Sequence, residues 1–139
     1  MVLYPSDPAD GRVRVVVVED DNANRLFFAD YLTFTGFEVL ALPHGLDLEQ
    51  QLKAFQPQLL LLDLGLPEID GYTLLKQIRS SPVWRHLPVV VVSGYAFAED
   101  QHRALALGAQ RYLVKPVPLQ QLTQTVYAVL QLPQSRDCP

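Results

Sequence analysis

Four consecutive leucines, Leu59 to Leu62, run directly into Asp63 and then into Leu64-Gly65-Leu66-Pro67-Glu68-Ile69-Asp70-Gly71. An unbroken apolar run this short fits a strand covered on both faces, as in a parallel sheet. The Gly/Pro loop ends the strand, so a carboxylate is delivered to its carboxyl edge. Open parallel sheets bind ligands and do chemistry at that edge. Asp63 therefore constrains both the fold and the place where function is to be sought.

The rest of the chain alternates in the same way. Strands are expected at Val13 to Val18, Phe37 to Leu42, Leu59 to Leu62, Val89 to Val92 and Arg111 to Val114. Helical spacing predicts helices at Asn22 to Thr35, Gly45 to Phe55, Gly71 to Ser80, Ala98 to Leu107 and Pro118 to Leu130. The expected inward faces are Leu26, Phe27, Ala29, Tyr31 and Leu32 in the first helix, and Leu46, Leu48, Leu52 and Phe55 in the second. Leu119, Leu122, Val126, Val129 and Leu130 form that of the last. Asp21 or Asn22 offers a cap to the first helix, and Gly36 ends it. Strict alternation with right-handed crossovers predicts an α/β fold with a doubly wound, five-stranded parallel sheet in a three-layer sandwich. The domain is expected over residues 12–131, with tails at 1–11 and 132–139.

Composition narrows the function. A chain of 139 residues, 49% hydrophobic and 19% charged, fits one folded domain with one core. A net charge of -4 with no basic stripe argues against a nucleic-acid surface. The apolar runs are too short to span a bilayer, and Met1-Val2-Leu3-Tyr4-Pro5 lacks the start of a signal peptide. The single cysteine, Cys138, excludes an internal disulfide framework, so a reducing cytoplasm is the expected location. Cys138 itself reads as a solvated tail thiol. His44, His86 and His102 lack metal-ligand spacing.

Chemistry converges at the carboxyl edge. Glu19-Asp20-Asp21 follow the first strand, Asp63 the third, Ser93 the fourth and Lys115-Pro116 the fifth. With strand order 2-1-3-4-5, the first and third strands are neighbours and their acidic loops meet. Like charges repel by about 4 kcal/mol per pair at ~4 Å and an effective dielectric of roughly 20. A divalent cation relieves that repulsion. Oxygen-only ligands favour Mg²⁺ or Mn²⁺ over zinc. Each residue alone has a plainer reading. Asp20 or Asp21 caps a helix, Asp63 caps a turn, Ser93-Gly94 is turn composition, and Lys115 is an exposed strand end. Their joint arrival at one edge favours a metal-assisted phosphoryl acceptor.

The four segments also resemble a known family, the receiver domains of two-component response regulators. Val15-Val16-Val17-Val18-Glu19-Asp20-Asp21-Asn22 is similar to the acidic-loop motif, and Leu59 to Gly71 to the phosphoacceptor strand and loop. Pro88 to Gly94 resembles the switch strand, and Gly108 to Pro116 the lysine-bearing segment. Asn22, Asn24 and Arg25 are similar to hybrid-kinase and stand-alone receivers. The resemblance covers about residues 12–131 and implies a flavodoxin-like fold.

The family's roles carry over as expectations. Asp63 is the phosphoacceptor. Asp20 and Asp21 hold Mg²⁺ with Asp63 and the Gly65 carbonyl, and Glu19, at the strand end, is the least favoured ligand. Lys115 pairs with a phosphoryl oxygen, and a cis peptide precedes Pro116. Ser93 and Tyr112 form the switch, altering the surface built from the fourth helix, fifth strand and fifth helix. Gly65 and Tyr95 depart from the usual pattern and are expected to affect phosphoryl lifetime.

The expected donor is a sensor histidine kinase or a histidine phosphotransfer protein, and the output is binding to a protein target. A stand-alone protein, monomeric or weakly dimeric, is expected, catalysing only its own phosphoryl transfer and slow dephosphorylation. The alternative is a non-phosphorylated receiver-like binding scaffold. A flavodoxin-type cofactor protein is disfavoured because Glu19-Asp20-Asp21 would repel a cofactor phosphate. The chain also lacks a P-loop, and Asp63-Leu64-Gly65 lacks the second acid of a haloacid-type phosphatase. Val2, Leu3 and Tyr4 are expected in a disordered tail.

Overall fold

The computed structural model describes residues 11–132. The expectations for Val2, Leu3, Tyr4 and Cys138 lie outside the described residues. The elements follow in strict alternation: β1 (Arg14–Val18), α1 (Asn22–Phe34), β2 (Glu38–Leu42), α2 (Leu48–Phe55), β3 (Leu59–Leu62), α3 (Gly71–Ser80), β4 (Val89–Ser93), α4 (Ala98–Ala106), β5 (Arg111–Val114) and α5 (Leu119–Leu130). All strand pairs are parallel, in the order β2-β1-β3-β4-β5.

The apolar strands have no polar face because helices cover both sides of the sheet. Val16, Val18, Leu60 and Leu62 pack under Leu48 and Leu52 of α2 and Leu74, Leu75 and Ile78 of α3. Val15, Val17, Leu59 and Leu61 pack on the other side, against Phe28 and Leu32 of α1 and Leu122 and Val126 of α5. Successive strand residues therefore serve opposite cores, the period-two geometry of a strand. Each leucine fully removed from water contributes about 1.5–3 kcal/mol.

Two expected faces change. In α1, Phe28 and Leu32 enter the core, while Leu26 and Phe27 are 61% and 50% exposed. Apolar residues run almost around this helix, so periodicity alone could not choose between Phe27 and Phe28 as the inward side chain. In α2, the helix begins at Leu48 rather than Gly45, and Leu46 is exposed. Gly45 lies against α3, where an added Cβ would stand 2.3 Å from Leu74 Cδ1. Leu46 and Asp47 form a turn ahead of the helix. Asp21 is the residue that caps α1, accepting from the Asn24 amide at 2.8 Å. Among the described residues, no helix is long and apolar enough to cross a membrane.

Candidate functional site

Strand register builds the site. Val18 of β1 pairs with Leu62 of β3, so the next residues, Glu19 and Asp63, leave the sheet level with each other. The Asp63 amide donates to the Val18 carbonyl at 3.1 Å, and the Glu19 amide to the Leu42 carbonyl at 3.0 Å. Both side chains are nearly buried, while Asp20 beside them is exposed. One carboxylate oxygen from each of Glu19, Asp20 and Asp63 lies within 4.8 Å of the others.

This differs from the expected pairing of Asp20 with Asp21. β1 ends at Val18, so Glu19 is the first residue past the edge and reaches the cluster. Asp21 is one residue too far along and has turned into its capping role. The chain itself does not mark the difference, because it is the sheet register, Val18 beside Leu62, that sets Glu19 opposite Asp63.

Lys115 closes the cluster from β5. Its amide donates to the Ser93 carbonyl at 2.9 Å, and the Lys115–Pro116 peptide is cis. Nζ lies 2.5 Å from Glu19 Oε1 and 3.3 Å from Asp63 Oδ2. The remaining oxygens have donors too. The Asp21 amide reaches Glu19 Oε2 at 3.1 Å, and the Gly65 amide reaches Asp63 Oδ1 at 3.3 Å. Burial pushes the Glu19 carboxyl above its ordinary range, although Lys115 and the Asp21 amide oppose the shift. Burial works against the charged form of Lys115, but its bond to Glu19 and the charge of Asp63 outweigh this and raise its pKa.

The donor set is all oxygen, negatively charged and partly open, with a side-chain cation already balancing it. Those properties fit a hard divalent ion such as Mg²⁺ or Mn²⁺.

Two glycines shape the loop that follows β3. A Cβ at Gly71 would stand 2.3 Å from the Asp63 carbonyl oxygen, so α3 can start this close only with glycine there. A Cβ at Gly65 would stand 3.0 Å from the Tyr95 hydroxyl, so the Tyr95 phenol fills the space left by that missing side chain. The switch candidates form a chain beside it. Ser93 is fully buried and its Oγ accepts from the Tyr95 amide at 3.1 Å. The Tyr112 hydroxyl donates to the Tyr95 carbonyl at 2.7 Å. Burial raises the Tyr112 pKa, with contact to Ser93 opposing it.

Sequence reasoning missed three further features. Arg25 Nη1 donates to the carbonyls of Glu19 and Asp20 at 3.0 and 3.2 Å, and Nη2 donates to Asn22 Oδ1 at 2.5 Å. On α4, Asp100 accepts from the Tyr72 hydroxyl at 2.8 Å, and the Arg103 guanidinium carbon sits 3.9 Å from the Tyr72 ring centre. A cleft of about 320 Å³ beside Lys115 is lined by Asn24, Phe27, Phe28, Pro116 and Val117. The Asn22 and Arg25 pair has local spacing in the chain, but its role toward the loop carbonyls was not read from it, and the other two features join residues from separate elements.

A five-stranded sheet in this order, with a carboxylate cluster and lysine at its carboxyl edge, defines a class of protein. Residues 15–127 match the family described as response regulator receiver domain, and the chain belongs to that family. The chain is 29% identical over 116 residues to the polar-differentiation response regulator DivK of Brucella anthropi, covering 84% of this chain and 94% of that protein. The BeF3-activated N-terminal receiver domain of Klebsiella pneumoniae RstA is similar in structure, with a TM-score of 0.80 and 30% identity over 85% of this chain and 98% of that one. The Mn²⁺-bound form of the response regulator Rcp1 has a TM-score of 0.70 and 28% identity, covering 84% and 91%.

Proposed function

We propose that this protein is a phosphoacceptor switch that takes a phosphoryl group from a phosphohistidine onto Asp63. The supporting observation is the cluster of Glu19, Asp20 and Asp63 with Lys115 Nζ bonded to two of its members.

An Asp63 carboxylate oxygen attacks phosphorus as the donor P–N bond breaks. The electron pair of that bond stays on the imidazole, and Asp63 becomes an acyl phosphate. Glu19, Asp20, Asp63 and the Gly65 carbonyl are the proposed Mg²⁺ ligands. When bound, the ion neutralises charge on the transferring group. Lys115 holds a phosphoryl oxygen as a compact point charge. The Ser93 hydroxyl donates to another, leaving its contact with the Tyr95 amide. That amide and the Tyr95 carbonyl held by Tyr112 belong to the same loop, so the loop and Tyr112 shift together. The readout is a population shift on the surface of α4, β5 and α5, where Phe97 and Leu105 are exposed. That surface serves a downstream protein target.

The donor, a histidine kinase or phosphotransfer protein, docks beside the acceptor. The exposed apolar residues Leu26 and Phe27 of α1 and the cleft beside Lys115 support this placement.

The decisive experiment is labelling by acetyl phosphate with and without Mg²⁺. Wild type is expected to be labelled only with the ion, and Asp63→Asn not at all. Labelling that survives in Asp63→Asn, or no labelling of wild type, would remove the proposal.

A further inference from the structure

Two cationic side chains meet the acidic loop, in different ways. Lys115 bonds to the carboxylates of Glu19 and Asp63. Arg25, in the first turns of α1, bonds instead to the backbone carbonyls of Glu19 and Asp20, using one nitrogen for both. Its second terminal nitrogen bonds to the Asn22 side chain. The other ties fall on either side of Asp20: the Glu19 carboxylate bonds to Lys115 and to the Asp21 amide, and Asp21 caps α1. Glu19 is also tied to β2 through its amide, and Asp20, Asp21 and Asn22 are exposed.

We infer that Arg25 is a positioning residue for the cation site, fixing the backbone of Glu19 and Asp20 so that their carboxylates stay turned toward Asp63. The inference rests on the proposed phosphoacceptor reading. Its physical basis is the strain inherent in the cluster. Carboxylates this close repel one another, and an exposed loop relieves that repulsion by swinging its acids outward. One guanidinium nitrogen bridging two consecutive carbonyls, with the other nitrogen tied to Asn22, opposes the swing. It does so without occupying a carboxylate oxygen, so the ligands stay open to an incoming ion. Asn22 completes the brace by fixing the plane of the fork. Lysine cannot replace it, because a single ammonium lacks the rigid planar geometry.

The test is Mg²⁺ titration calorimetry on wild type, Arg25→Gln, Arg25→Lys and Asn22→Ala, with urea unfolding of each. Residues that orient metal ligands typically change affinity by about 10–100-fold, and Arg25→Gln is expected near the lower figure. Arg25→Lys is expected to resemble Arg25→Gln, and Asn22→Ala to fall between these and wild type. Arg25 is only partly buried and glutamine is a good helix former, so the urea midpoints are expected to stay close to wild type.

A second readout separates positioning from general damage. At saturating Mg²⁺, the acetyl phosphate labelling rate of Arg25→Gln is expected to return to the wild-type value. An affinity equal to wild type in Arg25→Gln would overturn the inference. So would full recovery in Arg25→Lys, or a labelling defect that saturating Mg²⁺ does not repair. Wild type that binds no Mg²⁺ would overturn the phosphoacceptor reading as well, so the two failures are distinguishable.

Discussion

Glu19 and Asp63 stand level with each other at the ends of adjacent strands, and a single lysine ammonium, that of Lys115, donates to both at 2.5 and 3.3 Å. The ammonium lies nearer Glu19 than Asp63, the proposed acceptor. Lys115 therefore anchors on Glu19 and is held ready beside Asp63, and charge balance at the site depends on all three groups.

This arrangement separates the roles of three neighbouring acids. Glu19→Gln is expected to weaken Mg²⁺ by about tenfold or more, because a charged ligand is lost. Asp21→Ala removes a helix cap and is expected to cost about 1 kcal/mol in urea unfolding, with an unchanged Mg²⁺ isotherm. Equal losses of Mg²⁺ affinity in the two variants would return the ligand role to Asp21.

The site also sets a pH dependence. Glu19 holds its proton above the ordinary value of 4.5 because it is buried, and a metal needs the carboxylate. Mg²⁺ affinity is therefore expected to start falling, as pH is lowered, before an ordinary glutamate would protonate. On the alkaline side, Lys115 is raised above 10.5 in the folded chain. Its contribution to stability is fully present below the unfolded value and is lost as pH rises through the folded one. Glu19→Gln removes a cause of that rise, so its alkaline decline in urea midpoint should begin at lower pH than in wild type. Coincident profiles measured without Mg²⁺ would rule out this coupling.

Tyr95 lies where a side chain at position 65 would be, shielding the acceptor loop. Tyr95→Ala and Gly65→Asn are both expected to shorten the acyl phosphate lifetime. The first removes the shield and the second pushes it aside. A tenfold change corresponds to about 1.4 kcal/mol of barrier, and that is the expected scale. Dephosphorylation rates that match wild type in both variants would end this account.

The clamp on α4 is open to a stability measurement. Burial and the bond to Asp100 push the Tyr72 phenol up to about 12, so it is a neutral donor throughout the physiological range. Tyr72→Phe keeps the ring under Arg103 but loses the hydrogen bond, at an expected cost of about 1 kcal/mol. Trp84 is the chain's single tryptophan and is buried, which makes it a convenient probe of urea unfolding. An unchanged midpoint would mean that the hydroxyl contributes nothing net.

Gly71→Ala tests how tightly α3 is seated. The new methyl meets the Asp63 backbone carbonyl, which cannot rotate away as a side chain could. A loss of about 1–3 kcal/mol is expected from this overpacking, together with slower labelling by acetyl phosphate. Wild-type stability and labelling would show that the loop yields freely.

Much of this was legible in the chain because parallel α/β folds write themselves locally. An apolar run must be a covered strand, and a strand that ends in a charge must present it at one shared edge. Element order, and Asp63, Ser93 and Lys115 at the carboxyl edge, follow from those two constraints, while the sheet order matches the one that the family resemblance implied. Most boundaries coincide with the observed ones and six differ by one residue, while the start of α2 differs by three, where Gly45 packs closely on Leu74.

What only the tertiary structure decided were matters of register and facing. Whether Glu19 or Asp21 joins Asp20 depends on which β1 residue pairs with Leu62, and three adjacent acids look alike in sequence. Whether Phe27 or Phe28 is buried depends on how α1 rotates over the sheet. The Tyr72–Asp100 bond and the placement of Tyr95 over Gly65 depend on side chains meeting across elements. Hydrophobic pattern is a local and redundant signal, so it survives in the sequence. A contact between two particular side chains is a single long-range event, set only once packing has fixed every rotation and register between them.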